Sequence, residues 1–223
     1  MNIKGAIFDM DGTLIDSLVV WGEIWSTLGA RFLGNPDFRP SMEDDKKVRT
    51  MTLSDAMNMI HKNYSMASSG KEVYDCVMEV CDDFYENRVK LKYGVAEFLD
   101  YCKENGVKMC IASASPASAI LTTVKRCGLE KYFDKIISCC DEGIGKGKDH
   151  PDVYFAAIEY LGTPVEETWV FEDSYVALLS AKKTGAKTAG IFDKYNYGQN
   201  ILRENADEFI DDGENLMKLI GII

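Results

Sequence analysis

Two aspartates one residue apart, Asp9 and Asp11, stand at the end of the apolar run Ala6-Ile7-Phe8, with Gly12 and Thr13 behind them in GAIFDMDGTLIDS. Other polar groups stand where later apolar runs break off. Ser113, followed by Ala114 and Ser115, ends VKMCIAS; Glu172 and Asp173 end TWVFED; Lys148 lies just ahead of a helical stretch that opens at Pro151. If these runs are strands of one parallel sheet, their polar ends gather at its carboxyl edge. The gathered set is four acids, one lysine, one hydroxyl and several loop amides. Clustered carboxylates repel one another unless a cation joins them. A donor set made only of oxygens suits Mg²⁺, which takes a few carboxylates together with waters and substrate phosphate. Lys148, the Ser113 hydroxyl and the backbone N–H groups about Gly12 and Ala114 suit phosphate oxygens. The combination implies phosphoryl transfer, with neutralisation of charge as the main catalytic device. One of the first two aspartates can take the phosphoryl group covalently. The other can protonate the departing alkoxide and then activate water. A turn beginning at Asp11 redirects the second side chain, and Gly12 permits that turn and lets a backbone amide approach the phosphate.

The elements that must position these groups follow from hydrophobic spacing. Residues 3–9 read as a strand. From 92 onward helices and strands alternate: helix VAEFLDYCKENG, strand VKMCIAS, helix SPASAILTTVKRCG, strand KIIS, helix PDVYFAAIEYLG, strand TWVFED, helix SYVALLSAKKTG, strand KTAGIF, then EFID and a last short helix. Such alternation predicts an α/β fold, a doubly wound, Rossmann-like parallel sheet covered on both faces. Between the first strand and this series, LVVWGEIWSTLGARFL, LSDAMNMIHKNY and KEVYDCVMEVCDDFYENRVKL carry helical spacing and no clear strand. The expected division is therefore a catalytic core of residues 1–15 and 92–223, interrupted by an all-helical cap domain over 16–91, with MASSGKE as a loop inside the cap.

Composition narrows the function. The chain of 223 residues has a net charge of −11, which disfavours nucleic acid and anionic membrane surfaces as partners. No apolar stretch is long enough to span a bilayer, and MNIKGAIFD reads as a strand rather than a signal peptide. Seven cysteines, an odd number with no CxxC pair, are expected to be reduced structural thiols in a cytoplasmic protein. Two histidines, His61 and His150, leave little material for a His-rich metal site or a hydrolytic triad.

DMDGT, IASAS, GKDHPDVY and FEDS resemble, in order and in spacing, the four motifs of the haloacid dehalogenase-like hydrolase superfamily. The resemblance covers the whole core and is nearest to the β-phosphoglucomutase-like and sugar-phosphatase branch; the helical insertion is similar to that superfamily's first cap class. It implies Asp9 as the nucleophile and Asp11 as the general acid/base. It implies phosphate binding by Ser113 and Lys148, and Mg²⁺ held by Asp9, the Asp11 main-chain carbonyl and Asp173, with Glu172 directly or through water. Lys148 is preferred to Lys146 because the pattern places its lysine three residues before the proline, here Pro151. Leu18 stands where many members carry glutamate, and Ala177 where many carry glycine.

The expected activity is Mg²⁺-dependent hydrolysis of a small phosphorylated metabolite, with a phosphosugar mutase as the alternative and no protein partner evident. A mutase of that branch carries a cap-hinge histidine, whereas Leu18-Val19-Val20-Trp21 has none. A phospho-accepting receiver domain also joins acids, a hydroxyl and a lysine, but lacks both the large insertion and the DxDGT arrangement. Arg49, with Lys46 and Lys47, either contacts substrate from the cap or forms a charged surface before an N-cap at Thr52. Lys146 reads as solvated and His150 as loop-lining. Cys139 and Cys140 read as buried strand-end thiols, and Trp21 and Trp25 as cap core.

Overall fold

A computed structural model describes residues 3–49, 51–115, 117–144 and 146–221. The chain divides into two compact units, residues 1–18 with 89–223, and residues 19–88.

The first unit is built on six parallel strands: β1 (Gly5–Phe8), β2 (Lys108–Ser113), β3 (Ile136–Ser138), β4 (Thr168–Glu172), β5 (Lys187–Ile191) and β6 (Glu208–Ile210). Their order across the sheet is β3-β2-β1-β4-β5-β6. Strands covered on both faces read as unbroken apolar runs, and β1 and β4 are buried at every position. Helices α5 (Val95–Glu104), α6 (Ala117–Arg126), α7 (Asp152–Leu161), α8 (Tyr175–Lys182) and α9 (Gln199–Asn205) connect or follow these strands. Alternate residues serve opposite faces. Ile7, Cys110, Ala112 and Val170 pack with Val153, Tyr154, Ala157 and Leu161 of α7. On the other face Phe8 stacks on Phe171, with ring centroids 4.5 Å apart, and meets Phe98 of α5 edge-on at 6.3 Å.

The order of the strands puts β1 between β2 and β4, where the winding of the sheet reverses. Phe8 is level with Ile111 on one side and with Phe171 on the other. One residue further on, Asp9 therefore comes level with Ala112 and Glu172, and Ser113 lies a step beyond.

The second unit holds helices α1 (Val20–Leu28), α2 (Met42–Val48), α3 (Leu53–Tyr64) and α4 (Gly70–Asp83), with wide π-type turns at Gly29–Leu33 and Phe84–Arg88. Ser41, Thr52 and Ser69 cap α2, α3 and α4, each accepting from the amide three residues on, at 3.1–3.2 Å. Ile24, Trp25, Leu28, Met57, Ile60, Val73 and Val77 fill its interior. Helix α2 includes Lys46 and Lys47 and buries only Val48, too little to give the sequence a periodic signal there.

The units part at 18/19 and 88/89 rather than at 15/16 and 91/92. The physical reason lies in the connecting limbs. Ile15 bridges Leu91 in antiparallel fashion, and the Asp16 amide donates to the Lys90 carbonyl at 2.9 Å. These limbs hydrogen-bond to each other and belong to the sheet unit. Among the described residues no helix is long and apolar enough to cross a membrane.

Candidate active site

The groups singled out in the sequence sit at the carboxyl edge of the sheet. Asp9 follows β1 directly, and its amide donates to the Phe171 carbonyl at 3.0 Å. The chain then turns back: the amides of Thr13, Leu14 and Ile15 all donate to the Met10 carbonyl. Gly12 has φ +84, and an ideal Cβ there would stand 2.2 Å from Asp173 Oδ2. Only glycine fits that position, because the backbone both adopts a left-handed conformation and lies against a carboxylate. Asp11, at the start of the turn, is half-buried.

Lys148 reaches into the centre from the loop ahead of α7. Its Nζ donates to Asp9 Oδ1 and, at 2.5 Å, to Glu172 Oε1. Tyr154 of α7 donates to the same Glu172 oxygen at 2.9 Å. The other oxygen, Oε2, accepts from the Asp173 and Ser174 amides at 3.1 and 3.3 Å. Glu172 is thus held by four donors. Asp173 accepts from Asn196 Nδ2 at 2.8 Å. Ser113 is buried, and its hydroxyl oxygen accepts from the Ser115 amide at 3.1 Å, while Ala114 is exposed.

Burial and crowding set the electrostatics. Burial pushes the Asp9 carboxyl up to about 7, with the Glu172 charge adding to the rise and Lys148 opposing it. Asp173 is raised well above the carboxylate range, by burial first and then by Asp9 and Glu172. Burial alone would lower the Lys148 ammonium, but the Asp9 and Glu172 charges outweigh it and raise the group above its ordinary value. Three buried carboxylates around one ammonium leave a deficit of positive charge.

Asp9, Glu172 and Asp173 can each offer a carboxylate oxygen within 4.8 Å of the others. Asp9 Oδ2 is buried and has no hydrogen-bond partner among the described residues. A hard divalent cation supplies both the missing charge and the missing partner, so the residues fit Mg²⁺.

The remaining expectations fall outside this cluster. Lys146 is exposed and faces Asp152 at 3.5 Å; His150 is exposed beside Asp149. Cys139 is buried, but Cys140 is exposed, because β3 ends at Ser138 and both thiols lie past the strand. Arg49 belongs to the helical unit. It pairs with Asp45 at 3.3 Å and lies over the Trp21 ring at 4.6 Å, while Trp25 Nε1 donates to Asp45 at 2.9 Å. Tyr154, Asn196 and Gln199 are site neighbours that the sequence did not single out. The one available signal was Tyr154: a tyrosine on the sheet-facing side of a helix needs a partner for its hydroxyl.

A parallel sheet with an acid pair past its central strand, a lysine between carboxylates and a helical insertion after the first strand defines a class of hydrolase. The profile of the haloacid dehalogenase-like hydrolases matches residues 6–191, and the chain belongs to that family. Over 223 residues it is 25% identical to the phosphorylated carbohydrates phosphatase of Thermotoga maritima, covering 99% of this chain and 100% of the relative. Hexitol phosphatase B of Escherichia coli is 29% identical over 181 residues, 81% of this chain and 80% of its own. Among solved structures, a Thermotoga maritima protein put forward as a beta-phosphoglucomutase superposes with a TM-score of 0.81 at 24% identity, covering 99% of this chain and 100% of that one.

Proposed function

We propose that this hydrolase is a Mg²⁺-dependent phosphatase that cleaves a small phosphorylated metabolite, a sugar phosphate or similar monoester, through an aspartyl-phosphate on Asp9. The observation that carries the reading is the unpartnered, buried Asp9 Oδ2 within a triad of acids that one lysine cannot neutralise. The phosphatases among its relatives support the same chemistry.

An Asp9 oxygen attacks phosphorus, the bond to the leaving oxygen breaks, and Asp11 gives that oxygen a proton. Water then attacks the phosphoaspartate, Asp11 takes its proton, and inorganic phosphate leaves as the Asp9–phosphorus bond breaks. Lys148 holds phosphate oxygens and Asp9 in register, and Ser113 with the Gly12 and Ala114 amides completes the phosphate cradle. Mg²⁺ would be held by Asp9, Asp173 and the Asp11 carbonyl, and it supplies charge neutralisation for the transferring group. Glu172, whose oxygens four donors already occupy, would add its negative charge to the ion's surroundings, directly or through water. The helical unit serves as a cap that excludes bulk water, with Arg49 contacting the part of the substrate that does not react. Seven free thiols suit a reducing compartment, the cytoplasm.

Acid quench during turnover of ³²P-labelled substrate should trap phosphate on Asp9 as a hydroxylamine-sensitive acyl phosphate, ¹⁸O from labelled water should enter inorganic phosphate and not Asp9, and Asp9→Asn should have no turnover. Absence of a trapped phosphoaspartate, ¹⁸O found in the Asp9 carboxylate, or activity in the variant refutes the mechanism. Hydrolysis is preferred to mutase action because Leu18–Trp21 offers no proton-carrying group to gate the intermediate. With β-glucose 1-phosphate and catalytic glucose 1,6-bisphosphate, phosphate should form faster than glucose 6-phosphate; the reverse order overturns this choice.

A further inference from the structure

Past β5 the chain forms a loop over residues 192–198 whose polar groups close on Asp173. Asn196 Nδ2 donates to Asp173 Oδ2 at 2.8 Å and to the Asp173 carbonyl at 3.3 Å. Gln199 Nε2, at the start of α9, donates to that carbonyl at 3.2 Å. Both amide groups have their orientation fixed from behind. Asn196 Oδ1 accepts from the Tyr197 amide at 2.8 Å, and Gln199 Oε1 accepts from the Asp193 amide at 3.2 Å. Neither can flip without losing two bonds, so both NH₂ groups face Asp173.

The loop itself is anchored. Asp193 is buried; its Oδ1 accepts from the Tyr195 amide at 2.8 Å, and its Oδ2 pairs with Lys92 at 2.8 Å. Lys92 also donates to the Phe192 carbonyl at 3.1 Å. On its other side the Asp173 carboxylate rests against Gly12, where no side chain could fit. One acid is therefore gripped between an amide and a bare backbone, by a loop from a different strand. A carboxylate in plain solvent contact needs no such apparatus; one that must meet a cation at fixed geometry does.

We propose that Asn196 is a positioning residue for Asp173: with Gln199 beside it and the Lys92–Asp193 ion pair behind it, it sets the orientation in which Asp173 presents its oxygens to the divalent cation. The inference rests on the reading that Asp9 and Asp173 hold Mg²⁺, and goes beyond it in assigning the loop after β5 to the metal site. Asn196 touches neither phosphate nor the reacting atoms; it acts through Asp173.

The test is Mg²⁺ affinity of the substrate-free protein, measured by calorimetry for the wild type, Asn196→Leu and Asp173→Asn. Asn196→Leu keeps the bulk and removes the donor, and should weaken Mg²⁺ binding about 10- to 100-fold. Its melting temperature in chelator should stay near that of the wild type. Saturating Mg²⁺ should return kcat to within about twofold of wild type, a rescue that a damaged fold would not show. Should Asn196→Leu not fold, Asn196→Ala, which leaves room for a water, carries the same test. An unchanged Mg²⁺ affinity in the Asn196 variant, alongside its loss in Asp173→Asn, overturns the role of Asn196 and leaves the metal site standing. Mg²⁺ binding unaffected by Asp173→Asn overturns the metal site and the inference with it.

Discussion

Replacing Asp9 by asparagine should make the metal-free protein more stable while abolishing its activity. The Asp9 carboxyl is raised from an ordinary 3.8 to about 7, first by burial and then by Glu172. The folded state therefore keeps this proton up to about pH 7, while the unfolded chain releases it near 3.8. A state that binds more protons loses stability as pH rises, so the wild type weakens between these values and no further above them. At about 1.4 kcal/mol per pH unit, the full cost of ionising Asp9 in the fold is roughly 4 kcal/mol. The asparagine side chain has no proton to release and escapes this cost. It gives part of the gain back, because its NH₂ group must turn away from the Lys148 ammonium. If half survives, the melting temperature of a chain of this size rises by about 4–8 °C. Asp173 also titrates high, and because the Asp9 charge is one cause of its rise, Asp9→Asn eases the ionisation of Asp173 as well, which acts in the same direction. The assay is thermal unfolding of both proteins in chelator at about pH 5 and about pH 8. The advantage of Asp9→Asn should be small at the lower pH and near its maximum at the higher. Mg²⁺ at a hundredfold excess over its Kd should add about 2.7 kcal/mol to the wild type and reverse the order. A variant that melts below the wild type in chelator at pH 8, or by a margin independent of pH, refutes the reasoning.

Three further outcomes follow from the geometry. Gly12→Ala places a Cβ 2.2 Å from Asp173 Oδ2 at φ +84, so steady-state kinetics should show kcat/KM reduced about a hundredfold by displacement of that acid; activity within a few-fold of wild type would count against the Asp173 assignment. Tyr154→Phe removes a buried donor to Glu172 and should cost about 1–2 kcal/mol in denaturant unfolding, with no cost if the hydroxyl were incidental. Arg49→Ala should lower kcat/KM for a good metabolite substrate far more than for p-nitrophenyl phosphate, and equal losses for the two would remove Arg49 from substrate contact.

What could be read in advance depended on how sharply burial marks the sequence. A strand covered on both faces is mostly apolar, so a polar residue at or just past its carboxyl end is conspicuous. Asp9, Ser113, Glu172 and Asp173 were legible for that reason, and Lys148 through its distance from Pro151. Tyr154 sits at a regular helical spacing among Val153 and Ala157, where a tyrosine reads as packing; only its partner Glu172, distant in sequence, reveals the hydroxyl's use. Asn196 and Gln199 lie in a polar, aperiodic stretch, and their bonds to Asp173 depend on β5 lying beside β4. Helix α9 escaped notice because, like α2, it buries a single residue, Leu202. The pair Cys139-Cys140 shows the limit of strand arithmetic: two residues read as one environment prove to be one buried and one exposed, because the strand has already ended.

The short ladder that joins Ile15 to Leu91 and Asp16 to Lys90 has a consequence for how such a chain can change. The sheet unit brings the two ends of the helical segment side by side with its own hydrogen bonds, so the entropy of closing that excursion is met at the ladder. Loop-closure entropy grows only with the logarithm of length, by about 0.6 kcal/mol for each doubling. Residues 19–88 can therefore be lengthened, shortened or exchanged for another helical module at little cost to the sheet unit. A transplant spliced between Leu18 and Val89 inherits Asp9, Lys148 and Asp173 intact, because none of them is carried by the segment that is replaced. The ladder is a socket: exchanging the helical segment changes what accompanies the catalytic residues, not the residues themselves.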